Sequence, residues 1–251
     1  TGSTHIGRLL MAQCAHDVKK MSLELGGNAP FIVFEDADLD KAAEGALIAK
    51  YRNNGQTCVC TNRIYVHDSV HDAFAGKLKK AVEGLRVGNG LEDGVTVGPL
   101  INDAAVQKVR SHIADAVGKG ASILAGGKPH ALGGTFFEPT ILANVPHDAL
   151  VAREETFGPL APLFRFRDEA EVVDRANDTE YGLAAYFYTE NLGRIFRVAE
   201  ALEYGMVGIN CGAISNEVAP FGGVKASGLG REGSKYGIEE YLEIKYLSLG
   251  V

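Results

Sequence analysis

The sequence predicts an α/β fold with a mainly parallel, twisted sheet and flanking helices. Short apolar runs alternate with amphipathic helical patterns along most of the 251 residues, which is the order that parallel βα units produce. Hydrophobic residues make up 46 % of the chain and charged residues 23 %, which are the proportions of an ordinary globular protein. The chain is long enough for one or two domains with a hydrophobic core.

The helices are predicted from apolar residues at helical spacing and from polar residues that can cap a first turn. Ser3 or Thr4 caps a first helix, Asp38 caps the next, and Asn102 or Asp103 caps a helix that continues to Val117. The other expected helices cover 39–51, 70–85, 169–177 and 192–204. The expected strands cover 21–25, 30–34, 64–67, 122–124, 136–142, 160–166, 184–188, 207–210 and 241–249. The glycine-rich residues 211–234 are expected to form a long loop.

Charge and cysteine content exclude several classes of protein. The net charge of −7 argues against a nucleic-acid partner or an anionic membrane surface. No apolar run approaches the roughly 20 residues that cross a bilayer, and residues 1–13 lack the apolar core of a signal peptide. Four cysteines in a chain of this length do not indicate a disulfide scaffold, so we expect a reducing, cytoplasmic setting.

The strongest candidate for a reactive side chain is Cys58, on the turn between the helix that ends at Tyr51 and the strand that begins at Ile64. Its neighbours are polar, and Arg52 and Arg63 flank them, which predicts an electropositive setting that lowers the pKa of the thiol. The alternative is that Cys58 is a small buried hydrophobe, since free cysteine is among the most buried residue types. The residue types alone leave both interpretations open.

Glu24 is the second candidate, because it is a lone carboxylate among apolar residues at the end of the expected strand 21–25. Desolvation should raise its pKa and allow it to act as a general base near neutral pH. The alternative is an ordinary exposed strand position.

Five motifs, in order, resemble the aldehyde dehydrogenase superfamily. The glutamate motif covers 23–28 (Leu-Glu-Leu-Gly-Gly-Asn) and the cysteine motif covers 55–58 (Gly-Gln-Thr-Cys). The other three cover 1–7, 154–159 (Glu-Glu-Thr-Phe-Gly-Pro) and 220–223 (Pro-Phe-Gly-Gly). The resemblance covers the whole chain but only the C-terminal half of such an enzyme. It implies that 1–26 end a dinucleotide-binding domain, that 27–226 form the catalytic domain, and that 227–251 supply a loop, a helix and an oligomerisation strand.

The resemblance also implies roles for individual residues. Cys58 would attack an aldehyde carbon, and Glu24 would activate the water that hydrolyses the resulting thioester. The residues implied to bind the cofactor, NAD or NADP, are Gly2, Ser3, Leu25, Glu155 and Phe157. Without the resemblance, Ser3 is a helix cap, Glu155 a surface carboxylate and Phe157 a core residue. The partners implied are a small aldehyde and further copies of the chain, as a dimer or a tetramer.

Three features resemble succinate-semialdehyde dehydrogenases within this superfamily. They are Arg52 six residues before Cys58, Cys60 two residues after it, and the segment 212–216 before Pro220. The resemblance implies that Arg52 and Ser215 bind the substrate carboxylate, with Asn216 as the alternative to Ser215. A solvated helix end is the other explanation of Arg52. Glutarate semialdehyde or another short aldehyde stays open as the substrate.

Cys60 and Cys58 could form a disulfide under oxidation. Two other functions stay open: a cofactor-free cysteine hydrolase that uses Cys58 and Glu24, and a structural piece without activity. We expect no metal site, because His67 and His71 lie on either side of a strand-to-helix junction and Cys58-x-Cys60 has no second ligand pair. The G-x-G-x-x-G at 228–233 is interpreted as a flexible loop, since no strand precedes it.

Overall fold

A seven-stranded sheet forms the centre of the computed structural model, which describes residues 1–251. The strands are β1 (Leu23–Glu24), β2 (Ala29–Val33), β3 (Thr61–His67), β4 (Ser122–Ala125), β5 (Thr140–Ala143), β6 (Leu160–Phe166), β7 (Tyr181–Gly182), β8 (Ala184–Tyr188), β9 (Met206–Ile209), β10 (Val224–Lys225) and β11 (Gly228–Leu229). The helices are α1 (Thr4–Ala15), α2 (Leu39–Tyr51), α3 (His71–Glu83), α4 (Asp103–Gly118), α5 (Leu150–Arg153), α6 (Glu169–Asn177) and α7 (Leu192–Ala201).

The strand order in the large sheet is β4-β5-β6-β3-β2-β8-β9, and every neighbouring pair is parallel except β4 with β5. The predicted α/β class with a mainly parallel sheet is therefore confirmed. Two antiparallel pairs of short strands, β1 with β11 and β7 with β10, lie outside this sheet. None of the helices is both long and apolar enough to cross a membrane.

Both faces of the sheet are covered, so the central strands are apolar on both sides. Along β2, Phe31 and Val33 point into the core beneath α2 and α3. Ile32 and Phe34, which point the other way, pack in the core that includes α4, α6 and α7. The period of two along a strand thus divides one sequence run between two cores. A buried β2 and β3 give the turns at their ends a fixed scaffold.

The predicted bounds of several elements agree with the structure. The helices 39–51 and 169–177 and the strands 160–166 and 184–188 have the expected ends. Three predicted caps are confirmed, because Ser3, Asp38 and Asn102 each accept a hydrogen bond from a backbone N–H in the first turn of the helix that follows.

Two predicted strands differ from the structure. The strand expected over 136–142 forms only from Thr140 onward. In the strand expected over 241–249, Tyr241 instead ends a 3₁₀ turn (Gly237–Tyr241), and residues 242–249 are exposed and belong to no helix or strand of this chain. An alternating pattern predicts extended backbone, but a strand also needs a neighbour that can accept its hydrogen bonds.

The loop expected over 211–234 is also only partly correct. Gly228 and Leu229 form β11 and pair with β1, so this part of the G-x-G-x-x-G motif is held in place and is not a flexible loop. A side chain at Gly228 would overlap the carbonyl of Leu23, which explains why glycine is required there. No helix follows the motif as a dinucleotide fingerprint requires, because only the 3₁₀ turn begins after it.

We predict opposite effects on stability for two helical glycines. A Cβ at Gly45 of α2 would overlap the hydroxyl of Tyr188 on β8, whereas a Cβ at Gly76 of α3 would meet nothing within 4 Å. Gly45→Ala should therefore destabilise the protein by about 1–3 kcal/mol through overpacking. Gly76→Ala, the matched control, should stabilise it by up to about 1 kcal/mol through helix propensity. Urea unfolding of both variants measures this, and equal midpoints would contradict the prediction.

Candidate active site

Cys58 lies on a tight turn between α2 and β3, as the sequence predicts. The turn begins with a 3₁₀ segment in which Asn53, Asn54 and Gly55 all have positive φ angles, of 51°, 56° and 72°. Asparagine tolerates this conformation and glycine has no penalty in it. A Cβ at Gly55 would also overlap the carbonyl of Gly158, so the turn packs directly on the segment that carries Glu155. Cys58 itself is partly exposed.

The segment that carries Glu24 packs against this turn. A Cβ at Gly27 would overlap the carbonyl of Cys58, which shows how closely the two backbones approach. The amide of Gly27 donates a hydrogen bond of 3.0 Å to the Glu155 carboxylate. The structure therefore brings Glu24, Cys58 and Glu155, which are far apart in sequence, into one site.

The side chain of Asn62 joins the three segments. Its Nδ2 donates to Asn28 Oδ1 at 2.8 Å and to the Glu154 carbonyl at 2.8 Å, and its Oδ1 accepts from the Thr156 amide at 3.1 Å. Both asparagines are buried. The sequence analysis gave neither of them a role, although two asparagines flanking the glutamate and cysteine motifs are a signal that could have been used.

The Glu24 carboxylate is buried, and neither of its oxygens has a hydrogen-bond partner. Burial raises its pKa to about 7, and the negative charge of Glu232 acts in the same direction. The charges of Arg231 and of the Thr1 amino group oppose these effects. The pKa is therefore raised for the reason that the sequence predicts, which is desolvation.

The prediction that arginines lower the pKa of the Cys58 thiol is wrong. Burial raises that pKa, and the negative charges of Glu155 and Glu24 raise it further. The Arg63 guanidinium is buried on the other side of β3, where it donates to the carbonyls of Asn28 and Ala176 and to the Tyr204 hydroxyl. Arg52 is exposed and is not among the charges that shift this thiol.

The Cys58 amide is a free donor on this turn, since it donates to no carbonyl of the chain. Cys60 is buried, and its sulfur lies 2.7 Å from Thr57 Oγ1 and 3.7 Å from the carbonyl of Lys50. All four cysteines are free thiols. The free amide gives the turn a donor for an oxyanion formed at Cys58.

Lys50 is a buried cation that the sequence analysis did not identify. It is 1 % exposed in the last turn of α2, and its Nζ has no hydrogen-bond partner. Burial lowers its pKa to about 8, while the charges of Cys60 and Glu155 act in the opposite direction. Its position on α2 follows the small residues that face the sheet, so helical periodicity could have shown that it points inward.

Glu155 and Phe157 have the geometry of an open binding surface. Glu155 uses one oxygen for Gly27, while its other oxygen accepts no hydrogen bond, and burial raises its pKa. Phe157 has a positive φ of 55° and a side chain that is 38 % exposed. Strained backbone at an aromatic residue is uncommon and indicates a functional constraint. The alternative that Phe157 is a core residue is therefore wrong.

The residues at the start of the chain reach the same site. The amide of Gly2 donates to the Glu24 carbonyl at 3.1 Å, and Ser3 caps α1. The side chain of Leu25 packs against Gly7 of α1, and its carbonyl accepts no hydrogen bond within the chain. Leu25 can therefore offer a ligand its carbonyl oxygen but not its side chain.

The structure does not join Arg52 and Ser215 directly. Both are exposed, and the Arg52 guanidinium makes no hydrogen bond or ion pair. Their segments do meet, because a Cβ at Gly212 would overlap the backbone of Gly45 in α2. The part of the chain that holds Ser215 therefore packs on the helix that leads to Arg52. No group of three or more histidine, cysteine or carboxylate side chains is arranged to hold a metal ion.

We predict that Glu24→Gln lowers the pKa of Cys58, because it removes a negative charge that disfavours the thiolate. The rate at which iodoacetamide alkylates Cys58 is measured between about pH 6 and pH 10, which is the range over which thiols titrate, with peptide mass spectrometry as the readout. The midpoint of this rate against pH should move to lower pH in Glu24→Gln. The exposed Glu190→Gln is the control that should leave it unchanged. An unmoved midpoint in Glu24→Gln would show that the two groups are not electrostatically coupled.

Comparison with known proteins identifies the family. The family model described as "Aldehyde dehydrogenase family" matches residues 1–247 of the chain. Glutarate-semialdehyde dehydrogenase of Pseudomonas aeruginosa is 76 % identical over 250 residues, which cover 100 % of this chain and 52 % of that protein. The NADP(+)-linked succinate-semialdehyde dehydrogenase GabD of Escherichia coli is 70 % identical over 251 residues, with the same coverage of 100 % and 52 %.

Solved structures agree with this assignment. The crystal structure of succinate-semialdehyde dehydrogenase from Burkholderia pseudomallei superposes with a TM-score of 0.99 at 71 % identity. The superposition covers 100 % of this chain and 52 % of the solved chain. The chain thus spans about half the length of the relatives that it matches. With its sheet, its motifs and its site in agreement, the chain belongs to the aldehyde dehydrogenase family.

Proposed function

We propose that the longest natural chain containing this sequence oxidises a short aldehyde that carries a carboxylate at its far end, with NAD or NADP as the hydride acceptor. The observation that carries this proposal is the placement of Cys58, with a free backbone amide, against the segment of the buried and unpartnered Glu24. The names of the similar proteins, which are semialdehyde dehydrogenases, support the acidic substrate.

The proposed reaction has two stages. The Cys58 thiolate attacks the aldehyde carbon, a C–S bond forms, and the carbonyl electron pair moves to oxygen, where the Cys58 amide can donate a hydrogen bond. A nicotinamide held by Glu155 and Phe157 would supply the hydride acceptor, so that the hydride would leave this carbon and the carbonyl would reform as a thioester on Cys58. Glu24 then takes a proton from water as the water attacks the thioester carbon. The C–S bond breaks, the acid is released and the Cys58 thiolate is restored.

The pKa of Glu24 suits the second stage. A carboxylate can take a proton from water only when it is ionised, and a pKa of about 7 gives both a substantial ionised fraction and a strong base at neutral pH. A carboxylate with an ordinary pKa would be ionised but a weaker base. Hydrolysis of the thioester should therefore decline as the pH falls through about 7.

The residues present suit a nicotinamide cofactor. The second oxygen of Glu155 is free for the hydroxyl groups of a ribose, and the exposed ring of Phe157 offers an apolar surface beside it. Gly2 and Ser3 lie at the start of α1, where backbone amides favour an anion. On this proposal residues 1–26 belong to the dinucleotide-binding part, 27–226 to the catalytic part and 227–251 to the C-terminal part.

The substrate carboxylate is assigned to Arg52. Its guanidinium is exposed, unpaired and located at the end of α2 that leads into the Cys58 turn. A guanidinium binds a carboxylate through two parallel hydrogen bonds, which fixes orientation as well as charge. Ser215 would supply a further hydrogen bond from the neighbouring segment. Succinate semialdehyde and glutarate semialdehyde, which differ by one methylene, both carry the carboxylate that this contact requires.

We predict that Arg52→Ala lowers kcat/KM for both acidic semialdehydes by about 10- to 150-fold, since a hydrogen bond to a charged group contributes about 1.5–3 kcal/mol. Activity with propanal should change little, because propanal has no group for Arg52. Steady-state reduction of NAD and NADP by the full-length enzyme measures both. Arg110→Ala removes another exposed arginine, on α4, and is the matched control that should behave as the native enzyme.

Three outcomes of this panel contradict the proposal at different levels. Equal turnover of acidic and neutral aldehydes would remove the assignment of the substrate class but leave aldehyde oxidation intact. A native-like Arg52→Ala would remove the role of Arg52. Cleavage of esters with no reduction of either nicotinamide would favour the cofactor-free cysteine hydrolase, and no activity of any kind would favour a structural role.

We also propose that peroxide joins Cys58 and Cys60. The partly exposed Cys58 would be oxidised first to a sulfenic acid, and the Cys60 thiol would then expel water to form the disulfide. Cys60 is buried beside Thr57 and must turn away from it.

In peroxide-treated protein, the peptide with both cysteines should lose the mass of two hydrogen atoms. Activity should be lost in parallel, and a reductant should restore it. In the Cys60→Ser variant, which lacks the second thiol, Cys58 should instead be oxidised irreversibly. An unchanged peptide mass would contradict the proposal.

The homo-oligomer and the cytoplasmic location stay predictions. Residues 242–251 expose several large apolar side chains on extended backbone, which suits pairing with a second copy. Light scattering of the full-length protein would give its mass in solution. The sequence composition remains the reason to expect a reducing compartment.

A further inference from the structure

Residues 220–232, which we call the glycine loop, hold the segment of Glu24 along its length. Glu24 pairs with Gly228 in the β1–β11 ladder. The Leu25 amide donates to the Ser227 carbonyl at 2.9 Å, and Ser227 Oγ donates to the Gly26 carbonyl at 2.7 Å. Ser227 is buried. Three consecutive residues that begin with Glu24 are thus fixed by one loop about 200 positions away in sequence.

Arg231 closes this loop. Its Nη1 donates to the carbonyls of Gly223 at 2.9 Å and Gly230 at 2.7 Å, which lie on the two arms of the loop. The base of the loop is closed by a reciprocal backbone pair, in which Phe221 and Glu232 each donate to the other at 2.8 and 2.7 Å. The guanidinium therefore joins the two arms of the glycine loop at a point between the Phe221–Glu232 pair and β11.

The Arg231 side chain is a neighbour of the Glu24 carboxylate. A Cβ placed on Gly222 would lie 2.8 Å from Arg231 Cδ and 3.0 Å from Glu24 Oε1, so both side chains pass the same glycine. Yet the guanidinium makes no hydrogen bond to Glu24, whose two oxygens are both unpartnered. Arg231 acts on Glu24 through its charge, while its Nη1 donates to two backbone carbonyls.

This arrangement has a chemical consequence. A direct ion pair would hold the Glu24 pKa well below its usual range, which would make the carboxylate a poor base. A complete absence of positive charge would leave burial and Glu232 unopposed, and Glu24 would be protonated at neutral pH. A cation held nearby without a hydrogen bond to Glu24 gives the carboxyl a pKa between these two extremes and leaves both of its oxygens free for water.

We propose that Arg231 is a positioning residue for the hydrolytic step: it closes the glycine loop over Glu24, and its charge sets the pH range in which Glu24 accepts a proton from water. This inference rests on the proposed role of Glu24. The other charged groups that face Glu24 are Glu232, Cys58 when it is a thiolate, and the Thr1 amino group, which a longer chain replaces with a peptide.

The test uses the full-length enzyme and measures the decay of the thioester by rapid quench at several pH values, after acylation by an acidic semialdehyde. Arg231→Gln removes the positive charge, so the midpoint of the pH profile should rise by about half a pH unit or more. Glu232→Gln removes the negative charge next in sequence, so the midpoint should fall by a similar amount. Arg231→Lys keeps the charge and should keep the midpoint close to the native one.

A purely structural role for Arg231 gives a different result. Loosening the loop would lower the rate constant in all three variants without moving their midpoints in opposite directions, and this outcome would overturn the proposal. If Arg231→Gln does not fold, Arg231→Lys and Glu232→Gln still distinguish a role of the charge from a purely structural role. A native-like midpoint in the lysine variant with a lowered midpoint in Glu232→Gln supports the role of charge, and an unmoved midpoint in Glu232→Gln overturns it.

Glu24→Gln separates this inference from the proposed function. If thioester decay in Glu24→Gln keeps its rate and its pH dependence, Glu24 is not the base and the proposed function fails. If Glu24→Gln stops the decay but the midpoints in the Arg231 and Glu232 variants do not move, the base is correct and only the further inference fails.

Discussion

The candidate active site depends on the buried side-chain amide of Asn62. Its hydrogen bonds join the segment of Glu24 through Asn28, the segment of Glu155 through Glu154 and Thr156, and the strand that follows Cys58. Each bond contributes only about 1 kcal/mol, but an unpaired buried partner would cost about 1–3 kcal/mol. Because one side chain satisfies three partners, the three segments cannot move independently without leaving buried polar groups unpaired. The positions of Glu24, Cys58 and Glu155 are thus coupled by a residue that has no chemical role of its own.

Burial then sets the chemistry of the groups that Asn62 positions. It raises the pKa of Glu24, Cys58 and Glu155 and lowers that of Lys50, so these four groups are shifted toward their neutral forms. The thiol receives no help from a nearby arginine, and its negative neighbours disfavour the thiolate. On the proposed function, a positively charged nicotinamide ring bound beside Cys58 would act in the opposite direction and favour the thiolate.

The sequence predicts the parts of this site that depend on local pattern. The turn at Cys58, the caps of α1 and α2, and the raised pKa of Glu24 follow from glycine, polar and apolar residues that are close in sequence. The prediction for the thiol failed because it used distance along the chain: Arg63 is near Cys58 in sequence, but it points across β3 to Ala176 and Tyr204. The β1–β11 pair was missed for the same reason, since its two strands lie about 200 residues apart and carry no periodic signal. The strand at 241–249 was predicted from alternation, which says nothing about whether a partner strand exists.

On the proposed function, substrate choice depends on Arg52, which lies outside this buried assembly. Arg52 is exposed at the end of α2, outside the network of Asn62 and outside the charges that act on Cys58. Substitutions that face its exposed guanidinium can therefore alter the reach of this group without contacting the Glu24 carboxylate. Succinate and glutarate semialdehydes differ by one methylene, which a pocket distinguishes by only about 1–3 kcal/mol. A difference of this size needs few substitutions, so overall identities of 70 % and 76 % cannot decide between them. The length of the space between Arg52 and Cys58 is the physical quantity that does.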